Sequence, residues 1–336
     1  MRKRTVILLA LLFLAFGFTS CAKPTAPKAG SAKAADLLNL LPSDSKGVVV
    51  IDVHRIMQTE AAGKAIAQNK DKAKYDEFVQ TTGIDPQNDV FYFVGAAMGD
   101  LGQKDMDGVA LVNLKYEKEK LLAMMKKEGV ELATEEYSGL TIYTGTAKEE
   151  KKPVSVAFLD ESNVLFGTAT AVKKAIDVRQ KKAENIWKNP QIAGLLKGMN
   201  PGPMLWAAFA VPPDAMKQAS SQNPMLGAFS NIQALILSFD YKEKNVLAEI
   251  KAMSPEEAKN KQMADALNGF KALGAGAAAK EPLLGEVLNK IEISSAPDHV
   301  KIAANLPEAL IESLSQKVKV NKPKEEQPQE PEPEQD

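Results

Sequence analysis

Short apolar runs of strand length, separated by polar and glycine-containing turns, recur along the whole chain. They are "GVVVIDV" (47–53), "DVFYFVG" (89–95), "GVALVNL" (108–114), "LTIYTG" (140–145), "VSVAFL" (154–159) and "VLFGT" (164–168). Further on come "MLWAAFAV" (204–211), "ALILSFDY" (234–241), "NVLAEIKAM" (245–253), "KIEISS" (290–295) and "VKIAAN" (300–305). Runs of this length bounded by turn residues predict strands. Helical spacing is equally readable. "NPQIAGLLKGMNPG" puts Ile192, Leu195, Leu196 and Met199 on one face between prolines, and "EKEKLLAMMKKEG" groups Leu121, Leu122 and Met125 ahead of Gly129. In "SPEEAKNKQMADALNGFKALG", Ser254, Pro255 and Glu257 supply a cap, a first-turn proline and a capping box.

A unit of strand, short polar turn, strand and helix fits 154–180, 234–273 and 290–318, with turns "DESN", "YKEKN" and "APDH". Hairpins followed by helices predict an α+β fold of mainly antiparallel sheets, with helices packed on one face. The expected organisation is a first half over 37–230 and a second over 231–321, tightly packed together. The stretch 199–229 concentrates Met199, Met204, Trp206, Phe209, Met216, Met225 and Phe229 among helix breakers. It reads as one strand and two short helices in a core, the alternatives being a lid over an apolar ligand or a partner-docking edge.

The first residues change the picture. Arg2, Lys3 and Arg4 precede an uncharged apolar run of 13 residues from Val6 to Phe18. A membrane-spanning helix needs about 20 residues, so residues 1–20 read as a signal peptide. The run ends in Phe18, Thr19, Ser20 and Cys21, and Cys21 is the single cysteine of the chain. That tetrapeptide resembles the lipobox of bacterial lipoprotein precursors, with Phe18 where leucine is usual. The resemblance implies cleavage before Cys21, diacylglyceryl transfer to its thiol and acylation of the new amino terminus, including by palmitate. Two or more acyl chains hold a protein to a bilayer, at about 0.8 kcal/mol per buried methylene. Ala22, where aspartate would signal inner-membrane retention, implies an outer-membrane, periplasm-facing address in a Gram-negative host. Residues 21–36, rich in alanine, lysine and proline, are expected to form a flexible tether. Residues 322–336 form an acidic, proline-rich tail expected to stay solvated.

A second resemblance rests on "LLPSDSKGVVVIDV", "EYSGLTIYTG", "VLFGTATAVKKAIDV" and "NPQIAGLLKGMNPG" in that order. These are similar to an uncharacterised family of bacterial exported proteins classed as a domain of unknown function, over most of 37–250. The motifs are turns and helix starts, so the resemblance implies a fold and no active site.

Net charge of −1 over 336 residues, with the acidic excess in the tail, offers no electrostatic footprint for nucleic acid. A lone cysteine rules out a disulfide framework or a cysteine-based zinc cluster. Of two histidines, His54 lies two residues after Asp52, and in a strand both side chains would share a face; no third ligand is evident, so a polar strand end is the expectation. His299 lies in the turn "APDH", where exposure is expected. "SDSK" (43–46) has Ser-x-x-Lys spacing but precedes a strand, and no Lys-Thr-Gly follows. "GAGAAA" (274–279) mimics a dinucleotide fingerprint but follows a helix instead of a strand, and reads as a linker. The expectation is a non-enzymatic, lipid-anchored cell-envelope protein that binds or scaffolds an envelope component, without cofactor or metal. Its partners would be the membrane through Cys21 and an envelope protein or apolar ligand. The alternatives are a periplasmic carrier of lipid or another apolar ligand, and a hydrolase with an unrecognised carboxylate site.

Overall fold

Each predicted apolar run forms a strand. The computed structural model describes residues 30–68, 72–99, 106–146, 153–197, 202–222, 224–278 and 281–320. The chain begins with α1 (Gly30–Leu38), β1 (Ser45–Asp52), α2 (Val53–Met57), α3 (Glu60–Gln68) and α4 (Lys72–Thr82). Next come β2 (Val90–Met98), β3 (Asp107–Leu114), α5 (Lys118–Lys127), β4 (Glu131–Tyr137), β5 (Leu140–Thr146), β6 (Val154–Phe158), β7 (Asn163–Gly167), α6 (Ala169–Arg179) and α7 (Pro190–Lys197). The remainder is β8 (Leu205–Ala210), α8 (Pro213–Gln222), β9 (Ala234–Lys242), β10 (Asn245–Met253), α9 (Glu257–Ala277), α10 (Pro282–Asn289), β11 (Ile291–Ala296), β12 (His299–Pro307) and α11 (Glu308–Val320).

The strands make one open antiparallel sheet in the order β11-β12-β10-β9-β8-β1-β2-β3-β7-β6-β5-β4. Outward from the central β1·β8 pair the connections repeat. Helical segments lead from β1 to β2 and from β8 to β9, hairpins join β2–β3 and β9–β10, and β7 and β12 follow on the two flanks. Tight hairpins are set by left-handed residues: Ser138 and Gly139 (φ 51° and 78°) between β4 and β5, and Glu243 and Lys244 (φ 50° and 62°) between β9 and β10.

The α+β class and the strand-turn-strand-helix units are as expected, but the helices are not confined to one face. In β1, Val48 and Val50 pack with Leu111, Leu165, Val172 and Ile176 on one face, under α1, α6 and α7. Val49 and Ile51 pack on the opposite face with Met57, Ile66, Val112, Val164 and Leu121, under α2–α5. A continuous "VVVI" run has no polar side to leave in water, so both faces need a cover. Over the second half a small core of Met263, Ala264, Val300 and Ile232, with Leu235 and Ile293, places α9 on the face that α2–α5 cover in the first.

Two local expectations are corrected. The helix α1 starts inside the segment 21–36 expected to be tether, because "AKAADLL" favours helix and Ala34, Leu37 and Leu38 bury against the sheet. The "GAGA" stretch belongs to α9 and is no linker: α10 packs beside it, with Leu288 next to Gly274. In 199–229, Trp206 and Met204 are buried and Met216 and Phe229 join the α9 core, matching one strand and two short helices.

Candidate functional site

Register places three groups of apolar side chains on the α9 side of the second half. One cross-strand row is Phe209, Leu235, Ala252 and Val300; the next is Ala207, Leu237, Ile250, Ile302 and Ile293; the third is Leu205, Phe239, Ala248, Ala304 and Ile291. The first row meets α9 and its core. The other two are covered only at their ends, where Ile293 packs against the α9 core and Leu205 against the core of the first half; between them Leu237, Phe239, Ala248, Ile302 and Ala304 are half-buried and Ile250 is 39 % exposed. The equivalent positions of the first half, such as Val112, Val156 and Val164, are buried.

The helices on this side stand over the strands without sealing them. No residue of α10 is buried. Leu273 of α9 is 73 % exposed and Leu284 of α10 is 50 % exposed. Glu308, buried at the start of α11, accepts a 2.5 Å hydrogen bond from the Tyr241 hydroxyl and ties that helix to the end of β9. Two adjacent rows of aliphatic and aromatic side chains with no polar group among them cannot bind through hydrogen bonds or metal. Such a floor offers burial of apolar surface, about 25 cal/mol per Å².

The polar residues singled out in the sequence lie elsewhere. The strand β1 ends at Asp52, and His54 sits in α2, so the two do not share a strand face. Asp52 instead caps α2, accepting from the Arg55 amide at 3.0 Å. Burial pushes its carboxyl above the ordinary range against that hydrogen bond, and burial beside Asp52 pushes Tyr92 up to about 12. His54 Nδ1 is buried without a hydrogen-bond partner, and its ring lies 5.6 Å from that of Phe91. Arg55, which sequence reasoning missed, joins the two halves: it donates to Gly202 O at 2.6 Å and to the buried Asp240 carboxylate of β9 at 2.9 Å. Lys242 also pairs with Asp240 at 2.9 Å.

His299 opens β12 and lines a cavity of about 300 Å³ on the other face of the sheet, with Gln191 and Leu195 of α7 and with Ile236, Lys251 and Met253. Its Nδ1 lies 2.7 Å from Asp298 Oδ1, a hydrogen bond that holds the Asp298 carboxyl low. Lys251 pairs with Glu249 at 3.1 Å, so the charges around this cavity are internally matched. Buried Asn260 fixes the turn, its amide nitrogen 2.9–3.1 Å from the carbonyls of Ser254, Ala296 and Pro297. Among the described residues no cluster of three His, Cys, Asp or Glu could hold a metal, and no helix is long and apolar enough to cross a membrane. Cys21, the leader and the tail 322–336 lie outside the described residues.

The fold and site define an open α+β sheet, filled on both faces in one half and incompletely covered in the other. The chain belongs to the family described as a protein of unknown function (DUF3352), whose profile matches residues 5–325. No curated protein matches it. Among solved structures it is similar to crystal form III of TP0453 (14 % identity, TM-score 0.46, covering 83 % of this chain and 97 % of that one). Crystal form I of the same protein gives 14 % identity and a TM-score of 0.43, covering 84 % and 97 %.

Proposed function

We propose that this is a non-catalytic binding protein of the cell envelope that holds a hydrocarbon chain of a lipid against the open rows of its second half. Of the readings open at the level of sequence, a carrier for an apolar ligand is favoured over a scaffold by one observation: Leu237, Phe239 and Ile302 stay half-buried and Ile250 exposed on the face that α2–α5 bury in the first half. The reading of Cys21 as a lipidated residue supports the same address. From Cys21 to the start of α1 at Gly30 the chain spans at most about 30 Å, at ~3.3–3.6 Å per residue, so an anchored body would stay beside a membrane that supplies the ligand. No catalytic role is proposed: the Asp298–His299 and Arg55–Asp240 pairs satisfy each other.

Native mass spectrometry of the mature chain, extracted from membranes and freed of detergent, tests the reading. A lipid adduct that is lost when Ala248→Phe fills the floor supports it; a clean apo mass with intact fold rejects it. Separately, Cys21→Ala is expected to release the protein from the membrane fraction, and unchanged membrane association would refute the anchor.

A further inference from the structure

The cavity of about 300 Å³ between α7 and the second half has an apolar wall and carries opposite charges at its two ends. Leu195 of α7 lines it together with Ile236 and Met253 of the sheet. At one end the turn between β11 and β12 supplies His299 and Asp298, whose carboxylate is 70 % exposed. With its Nδ1–H given to Asp298 Oδ1, the neutral imidazole keeps Nε2 as an acceptor, so this end receives donors. At the other end lies Lys251, and its cross-strand partner on β12 is Lys301. Lys251 pairs with Glu249 at 3.1 Å; Lys301 has no ion-pair partner among the described residues, which leaves two ammonium groups against one paired carboxylate. Lys251 and the Met253–His299 pair stand two residues apart along β10, ~7 Å at the rise of a strand.

We infer that this cavity binds a dipeptide with apolar side chains, its ammonium at Asp298 and His299, its carboxylate at Lys251 and Lys301, and its side chains against Leu195, Ile236 and Met253. A zwitterion matches both ends at once. Two extended residues span about 7 Å, the separation of the ends, whereas a free amino acid carries both charges on one carbon and reaches only one end. The volume agrees, because ligand pockets begin at about 300 Å³. The cavity lies on the opposite face of the sheet from the rows assigned to a lipid chain, so this site stands or falls independently of the carrier reading.

NMR titration of the mature chain, labelled with ¹³C at its methionine methyls, with leucyl-leucine tests this. The Met253 methyl signal, assigned through Met253→Leu, should shift saturably. N-acetyl-leucyl-leucine and leucyl-leucine amide, which each lack one charge, should bind about three- to fivefold more weakly, and glycylglycine should leave the signal in place. Lys251→Met should shrink the preference over the amide and keep that over the acetylated peptide; Asp298→Asn should do the reverse. A Cβ on the exposed Gly194 of α7 meets nothing within 4 Å, so Gly194→Leu keeps the fold, fills the cavity and should abolish the shift. No shift with leucyl-leucine, or an undiminished shift in Gly194→Leu, overturns the site. Equal binding of the free, acetylated and amidated peptides, or an equal effect of the Lys251 and Asp298 variants on both preferences, overturns the placement of the two ends.

Discussion

Replacing Arg55 by Met removes the cation that joins α2 to β9 and keeps an unbranched apolar stem, shorter than that of arginine. Two hydrogen bonds go, to Gly202 O at 2.6 Å and to Asp240 Oδ1 at 2.9 Å. The Asp240 side chain is only 7 % exposed, so its carboxylate keeps the cost of burial and is left with Lys242, itself 60 % exposed, and with the Tyr241 amide, which donates to Oδ1 at 3.0 Å. Breaking a buried pair costs about 3–5 kcal/mol; the 30 % exposure of Arg55 and the remaining lysine place this case nearer 2–3 kcal/mol. Urea unfolding of Arg55→Met should show a loss of that size with unchanged m-value. Adding Asp240→Leu removes the orphaned charge, so the double variant should recover about half of the loss. A loss below about 1 kcal/mol, or a double variant whose cost is the sum of the two singles, would refute the view that this pair is a coupled, buried link between the halves.

Three further outcomes follow from the packing. Burial raises the Asp52 carboxyl, so its contribution to stability is present below the ordinary value of 3.8 and is lost as pH rises through the folded-state value; thermal melts of Asp52→Asn should show that loss removed, the gain over wild type growing toward neutral pH. Burial also acts upward on Asp85 but is outweighed by hydrogen bonds from the Tyr75 hydroxyl (2.5 Å), the Gln87 amide (3.0 Å) and Asn88 (2.6 Å), so its carboxyl lies low; that stability is present above 3.8 and lost as pH falls, and NMR titration of Tyr75→Phe should move the Asp85 midpoint upward. A Cβ on Gly167 would lie 2.2 Å from Gly108 O across the β3–β7 pair, so Gly167→Ala should cost about 2–3 kcal/mol in denaturant unfolding.

Periodicity exposes most of the strands because each carries its own apolar residues, whatever the sheet order. The strand β4 escapes it: Glu131, Glu135 and Glu136 lie on the outermost strand, exposed, with no core to impose alternation. The helix at His54 is hidden because "VVVIDVHRI" carries strand-formers past the point where the Asp52 side chain caps α2. Likewise "GAGA" looks like a breaker until the packing of Leu288 on Gly274 is seen. The partly uncovered apolar face of the second half was the least legible feature. Leu237, Ile250 and Ile302 alternate like any half-buried strand residues, and only the register that aligns them and the loose seat of α10 leave their face open. Arg55 and Asp240, 185 positions apart, carry no sequence signal of their pairing.

Photo-crosslinking locates the ligand directly. Mature protein loaded with a fatty acid bearing a diazirine at its chain terminus, irradiated and digested, should carry the label on the second half's uncovered face, at Leu237, Phe239, Ala248, Ile250 or Ile302. Label confined to the cavity beneath α7, at Leu195 or Met253, or scattered over the outer helices, would contradict a lipid chain held in the second half of the sheet.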